Sequence, residues 1–309
     1  MRKSANTYLY LILAMLAWGS VYPVSKYLMS DLSPMTLAFL RYFTAILALA
    51  PLFIIEIRKN SKKIDFKSIL ILTAAGLTGT AIFAVFLYAG VSRSTASNGS
   101  IIINTQPVFT AIFAPLLIKE RISFIQIAGV AVGFIGMFLV VTGGSFNLGA
   151  GGNGIFTGNL LLVCGAVSMS FYGILIKTPV KEYGSLISTW ISMAIGTAVL
   201  FVINLFTNTD FFIELTIPAG RDILLIIYLG SIATAAAYLL FSMALRLTDV
   251  LKATAFKFLI PVSGVGLSVL LLGERPVIAA YAGIFIVIFS VFLIQRSEKT
   301  VNVEPKTSM

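Results

Sequence analysis

Ten stretches of about twenty residues carry few or no charges and are separated by short polar or Gly/Pro segments. They fall at 8–29, 34–55, 69–91, 96–118, 123–143, 155–177, 185–206, 222–244, 249–272 and 276–295. A helix crossing a bilayer needs roughly 20 apolar residues. Each stretch is therefore long enough to cross once, and the chain reads as an all-α polytopic membrane protein with ten transmembrane helices. Composition excludes the soluble alternative, because only 11% of the 309 residues are charged and mean hydropathy is +0.99. A water-soluble domain carries about 25% charged residues. The basic start Met1-Arg2-Lys3 resembles the opening of a signal peptide, but the run that follows is too long and lacks a small-residue cleavage site. It is expected to stay as the first helix.

The formal charge of +10 is distributed in a way that explains it. With the N-terminus in the cytoplasm and alternation thereafter, the inner segments hold fifteen Lys and Arg and the outer segments three. This positive-inside bias puts both termini in the cytoplasm and the protein in the cytoplasmic membrane. Four basic residues, Lys26, Arg41, Lys252 and Lys257, fall inside spans. With no histidine and a single Cys164, there is no His-based general base, zinc motif or disulfide framework. No metal or cofactor is expected. The expected partners are a small-molecule substrate and the lipid bilayer, not nucleic acid, and the oligomeric state is left open with a homodimer admitted. The glycine-rich 149–154 formally matches GxGxxG, but it joins two apolar spans rather than a strand and a helix and reads as a linker. The tail 297–309 is polar and is expected to be disordered.

The chain also repeats itself. Pro107-Val108, Leu116-Leu117 and Glu120-Arg121 recur as Pro261-Val262, Leu270-Leu271 and Glu274-Arg275 at an offset of 154, and 107–139 holds ten identities at that offset. Gly76 and Thr80 meet Gly230 and Thr234 at the same spacing. Half of ten spans is five, an odd number, so the second copy enters the membrane from the opposite side. Inverted repeats of this kind characterise secondary transporters, whose halves exchange inward-open and outward-open arrangements. The expected units are 1–147 and 148–296, followed by the tail.

Ala17-Trp18-Gly19-Ser20 with Lys26, Leu32-Ser33-Pro34 with Arg41, and the paired Pro-x12-Glu-Arg motifs resemble the EamA-type members of the drug/metabolite transporter superfamily. The resemblance spans essentially the whole chain. It implies a five-plus-five inverted-repeat carrier of amino acids, metabolites or drugs, with a central cavity lined mainly by spans 1, 3, 4, 6, 8 and 9. The second copy departs from the first where Met169 stands for Trp18 and Ser192 for Arg41.

Lys257 is the residue to single out. It lies eight residues past Asp249, about 12 Å deep at 1.5 Å per residue, near the middle of a core of roughly 30 Å. A lysine there must face a wet cavity or an acceptor. Thr254, Lys257, Pro261, Gly264 and Ser268 form one small or polar stripe. Two readings stand: Lys257 binds an anionic group such as a carboxylate, or it bonds backbone carbonyls freed by Pro261. On span four Ser100, Asn104 and Pro107 share a stripe with Gln106 nearby, fitting cavity lining or interhelical hydrogen bonding. Trp18 and Tyr22 share a face of span one and are either substrate contacts or packing. Tyr172 and Tyr238 are further candidates of the same kind, whereas Tyr88 is expected in an interfacial belt. Lys26 and Arg41 fall towards the outer side, where they either snorkel or guide anions, with snorkelling the preferred reading. Glu120 and Glu274 sit at span junctions and, with Pro107 and Pro261, are assigned structural or hinge roles. No pair of carboxylates lies inside any span, so nothing points to a carboxylate proton relay. The reading is a secondary transporter rather than an enzyme, for an amino acid or other anionic or zwitterionic compound. A channel or non-transporting receptor is the alternative, ahead of an intramembrane enzyme on lipid-linked substrates.

Overall fold

A computed structural model describes residues 2–60, 62–94, 96–142, 153–218, 220–272 and 277–296. Among these there is no strand. In chain order the helices are α1 (Arg2–Gly19), α2 (Val21–Leu28), α3 (Pro34–Lys59), α4 (Phe66–Val91), α5 (Ala96–Ile103), α6 (Gln106–Ile118) and α7 (Phe124–Thr142). They continue as α8 (Asn153–Tyr183), α9 (Ser185–Thr207), the short α10 (Phe211–Glu214), α11 (Arg221–Leu247), α12 (Val250–Ala255), α13 (Leu259–Leu272) and α14 (Ile278–Arg296). Eight of the ten expected spans are long and apolar enough to cross a membrane, counting Ile101–Ile118 as one. The other two, 8–29 and 249–272, are divided between α1 and α2 and between α12 and α13. The linker 149–152 and the tail 297–309 lie outside the described residues.

Local chemistry explains where the helices begin. Ser33 caps α3 by accepting from the Thr36 backbone N–H at 3.3 Å, with Pro34 at the first helical position, where its missing N–H costs nothing. Asp65 does the same for α4 through Ser68. Both α4 and α11 contain a wide turn, Leu77–Ala81 and Ser231–Ala236, in which hydrogen bonds run five residues back. The two wide turns begin 154 residues apart, at the offset found in the sequence.

Glycines bring the helices together at backbone distance. A Cβ at Gly76 of α4 would lie 2.1 Å from the Ser192 carbonyl oxygen on α9. One at Gly230 of α11 would lie 2.4 Å from Thr44 Cβ and 3.0 Å from the Arg41 oxygen on α3. The two glycines match at the repeat offset, although the residues they meet do not. Helices α7 and α14 form a close pair of their own. Gly129 faces Ile294 across this pair, and its carbonyl accepts from Ser290 Oγ at 2.7 Å.

Candidate functional site

The site begins with two prolines. Pro107 has no N–H to offer the carbonyl four residues back, so Ile103 loses its helical partner. The helix breaks there, and residues 104–105 form a turn between α5 and α6. The Gln106 side chain repairs the loss, its Nε2 donating to the Ile103 oxygen at 3.1 Å. This leaves Gln106 Oε1 facing the opposite way, where it accepts from Lys257 Nζ. Pro261 interrupts the ninth span in the same manner, and a tight turn, Phe256–Phe258, separates α12 from α13 and carries Lys257. Lys257 is 1% exposed. Its ammonium lies 4.9 Å from the centre of the Trp18 ring and 4.8 Å from that of Phe241, within range of a cation–π contact. Of the two readings of Lys257, the bond to carbonyls freed by Pro261 is not what forms. Its hydrogen-bond partner is a side chain on the other broken span.

Lys257, Gln106, Asn104 and Trp18 line one cavity, with about 430 Å³ between the lining atoms, its mouth included. Val21, Phe83, Leu87, Ile103, Met169 and Ile260 supply the apolar wall. Tyr238 and Arg41 complete the lining. Arg41 does not snorkel outward: it is 3% exposed and its Nε donates to Thr234 Oγ1 at 2.6 Å. Tyr42, Tyr88 and Tyr238 surround its guanidinium, so Tyr88 is buried rather than interfacial. Among the described residues no Asp or Glu lines the cavity.

The two wide turns supply the polar groups behind this wall. In Leu77–Ala81 the Gly79 carbonyl accepts from Tyr238 Oη at 2.8 Å and the Thr78 carbonyl accepts from Ser168 Oγ at 2.7 Å. In Ser231–Ala236 the Thr234 hydroxyl donates five residues back to Leu229 and accepts from Arg41. A wide turn loosens the regular ladder and so leaves such groups for partners on other helices. Tyr238 is fixed further by the Tyr42 hydroxyl at 3.1 Å and by an edge-on Trp18 ring at 5.5 Å.

Of the residues singled out from sequence, Trp18, Asn104, Tyr238 and Lys257 come together at the cavity. Thr254 and Tyr172 do not line it. The Thr254 hydroxyl turns back to the Val250 carbonyl at 2.9 Å, and the Tyr172 ring packs against Gly79 and Tyr238. Tyr22 and Ser100 are described by their backbone alone, and Glu274 lies outside the described residues. Glu120 accepts from the backbone N–H groups of Val250 and Leu251 at 3.0 and 3.1 Å, holding the first turn of α12, with Lys177 Nζ at 4.0 Å. Sequence reasoning missed Arg41 and Gln106 as site residues. The depth count that singles out Lys257 applies equally to Arg41, eight residues past the cap Ser33. For Gln106 the signal is its place beside a proline that strands a carbonyl.

Helices long and apolar enough to span a bilayer, packed around a cavity that draws on both ends of the sequence, define a multi-pass membrane protein. The comparisons make the class specific. The model of the EamA-like transporter family matches residues 5–142 and again 156–296, and the chain belongs to that family. An uncharacterized transporter of Clostridium kluyveri is 24% identical over 88% of this chain and 86% of its own length. The uncharacterized transporter YyaM of Bacillus subtilis is 29% identical over 71% and 70%. A protein of Streptantibioticus cattleyicolor named a probable terminal-alkyne amino-acid exporter is 26% identical over 93% and 92%. A solved crystal structure shares the fold at a TM-score of 0.77 and 15% identity, over 94% of this chain and 96% of the other.

Proposed function

We propose that this chain is a secondary carrier that moves a small anionic or zwitterionic metabolite, amino acids among the candidates, across the cytoplasmic membrane by alternating access. In this reading ten spans form two inverted five-helix repeats, 1–147 and 148–296, with both termini and the tail 297–309 in the cytoplasm. The 154-residue offset, the double family match and the matched wide turns support the repeat. The loop charges support the orientation. The observation that carries the function is the cavity itself, in which α3 and the turn after α12 each place a buried cation among aromatic and apolar walls. The named amino-acid exporter among the relatives supports the substrate range. Lys257 and Trp18 would be the principal substrate contacts, with Tyr238 and Asn104 beside them; Tyr22 and Ser100 stand on the same spans. Pro107 and Pro261 would act as hinges, and a homodimer is compatible with this arrangement.

Counterflow in proteoliposomes tests the mechanism. Uptake of labelled substrate should be accelerated by the same substrate on the opposite side, whereas flux without that acceleration makes the protein a channel. Lys257→Ala should abolish exchange while the protein remains monodisperse and folded, and normal exchange by that variant would remove Lys257 from the mechanism.

A further inference from the structure

Among the described residues the cavity is lined by two cations and no acid, and each cation has its own set of partners. Lys257 rests on Gln106, Trp18 and Phe241. Arg41 rests on Thr234 and the ring of Tyr42, its guanidinium carbon 5.3 Å from the ring centre. These two sets share no residue, and the Trp18–Tyr238 pair stands between them, touching Lys257 on one side and Tyr42 on the other. All of these partners are neutral. A buried charge that meets only neutral acceptors lacks the counter-charge that burial in low dielectric demands.

A zwitterion fits these walls poorly. Its carboxylate would be welcome at either cation, but its ammonium would meet two like charges and, among the described lining residues, only neutral groups in place of a counter-charge. The Trp18 face is already taken by Lys257, and Gln106 Oε1 accepts from the same lysine. From this we infer that the carrier's substrate is a small organic dianion, its two acidic groups divided between Lys257 and Arg41 and its carbon body against the aromatic and aliphatic wall. Arg41 is then a second binding residue, with Thr234 as its positioning partner. The guanidinium has five N–H donors, of which Thr234 takes one, and its fork matches a carboxylate. This inference rests on the carrier reading, since it names the substrate of the same cavity.

Thermal unfolding of the purified protein with succinate, glutarate and phthalate, against butyrate, benzoate, alanine and phenylalanine, reads the class directly. A dicarboxylate should stabilise the protein at concentrations about tenfold or more below those needed by the monocarboxylates or amino acids. Arg41→Gln and Lys257→Gln should each weaken that effect by about tenfold or more, the loss of one charge-assisted contact. Arg41→Lys, which keeps the charge, should retain more of the effect than Arg41→Gln and guards against mistaking misfolding for lost binding. The inference is overturned if an amino acid stabilises as well as any dicarboxylate, if no dicarboxylate stabilises, or if the stabilisation survives both glutamine variants. Counterflow with the stabilising probe separates the two levels. An amino acid that binds and exchanges leaves the carrier reading standing and removes the dianion, whereas a dicarboxylate that binds without exchanging does the reverse.

Discussion

The amide of Gln106 faces two ways. One end satisfies a carbonyl stranded by Pro107, and the other holds Lys257 at the cavity. Replacing Gln106 with Leu removes both contacts at once and leaves a buried carbonyl and a buried ammonium unsatisfied. Each such group costs roughly 1–3 kcal/mol, so Gln106→Leu should lower the unfolding temperature clearly; an unchanged midpoint would show that both groups find other partners. Part of this was legible beforehand. The depth of Lys257 and its need for a wet cavity or an acceptor follow from residue counting. That Arg41 turns inward did not follow, because an arginine with a long stem can reach either water or a neighbouring helix, and only the position of Thr234 decides between them.

Among the elements, the apolar spans were readable because their length is dictated by the bilayer. The breaks at 104–105 and 256–258 were readable in outline, each lying just ahead of a proline. The wide turns of α4 and α11 were not. An extra residue per turn leaves an almost uniformly apolar run looking the same, and no residue type demands it. What could be seen was the glycine at the head of each, Gly76 and Gly230. Their packing yields a sharp expectation. A methyl group at Gly76 meets the Ser192 backbone oxygen, which no rotamer change can move. Gly76→Ala should therefore destabilise by about 1–3 kcal/mol. Gly230→Ala, whose nearest obstacle is the Thr44 side chain, should be restored in part by Thr44→Ala. Denaturation midpoints of the three variants check this, and equal tolerance of both alanines would contradict the close crossing at α9.

Across the whole molecule, contacts between residues far apart in sequence also tie the ends of the spans. Beyond α9, Glu214 accepts from Ser33 Oγ at 2.7 Å and from Asn208 Nδ2 at 3.0 Å, joining α10 to the start of α3. Partial burial works to raise its pKa, but the hydrogen bonds from Thr36, Ser33 and Asn208 outweigh it and hold the carboxyl below its ordinary value. A carboxylate whose folded pKa is depressed adds stability that is present above its unfolded pKa and is lost as pH falls through the folded one. The unfolding temperature should therefore drop as pH is lowered below about 4.3, and Glu214→Gln should flatten part of that drop. A wild-type profile that stays level down to pH 3 would exclude the effect.

The contact between Lys257 and Gln106 has a consequence for how such a chain could have arisen. At the repeat offset Lys257 corresponds to Ile103 and Gln106 to Ile260, so neither half contains both members of the contact in matching positions. Two copies of the first half would set glutamine against isoleucine, and two copies of the second would set lysine against isoleucine. Only the unlike pair assembles the charged contact. Joining the halves in one polypeptide therefore guarantees a composition that free mixing of separate halves would reach only part of the time.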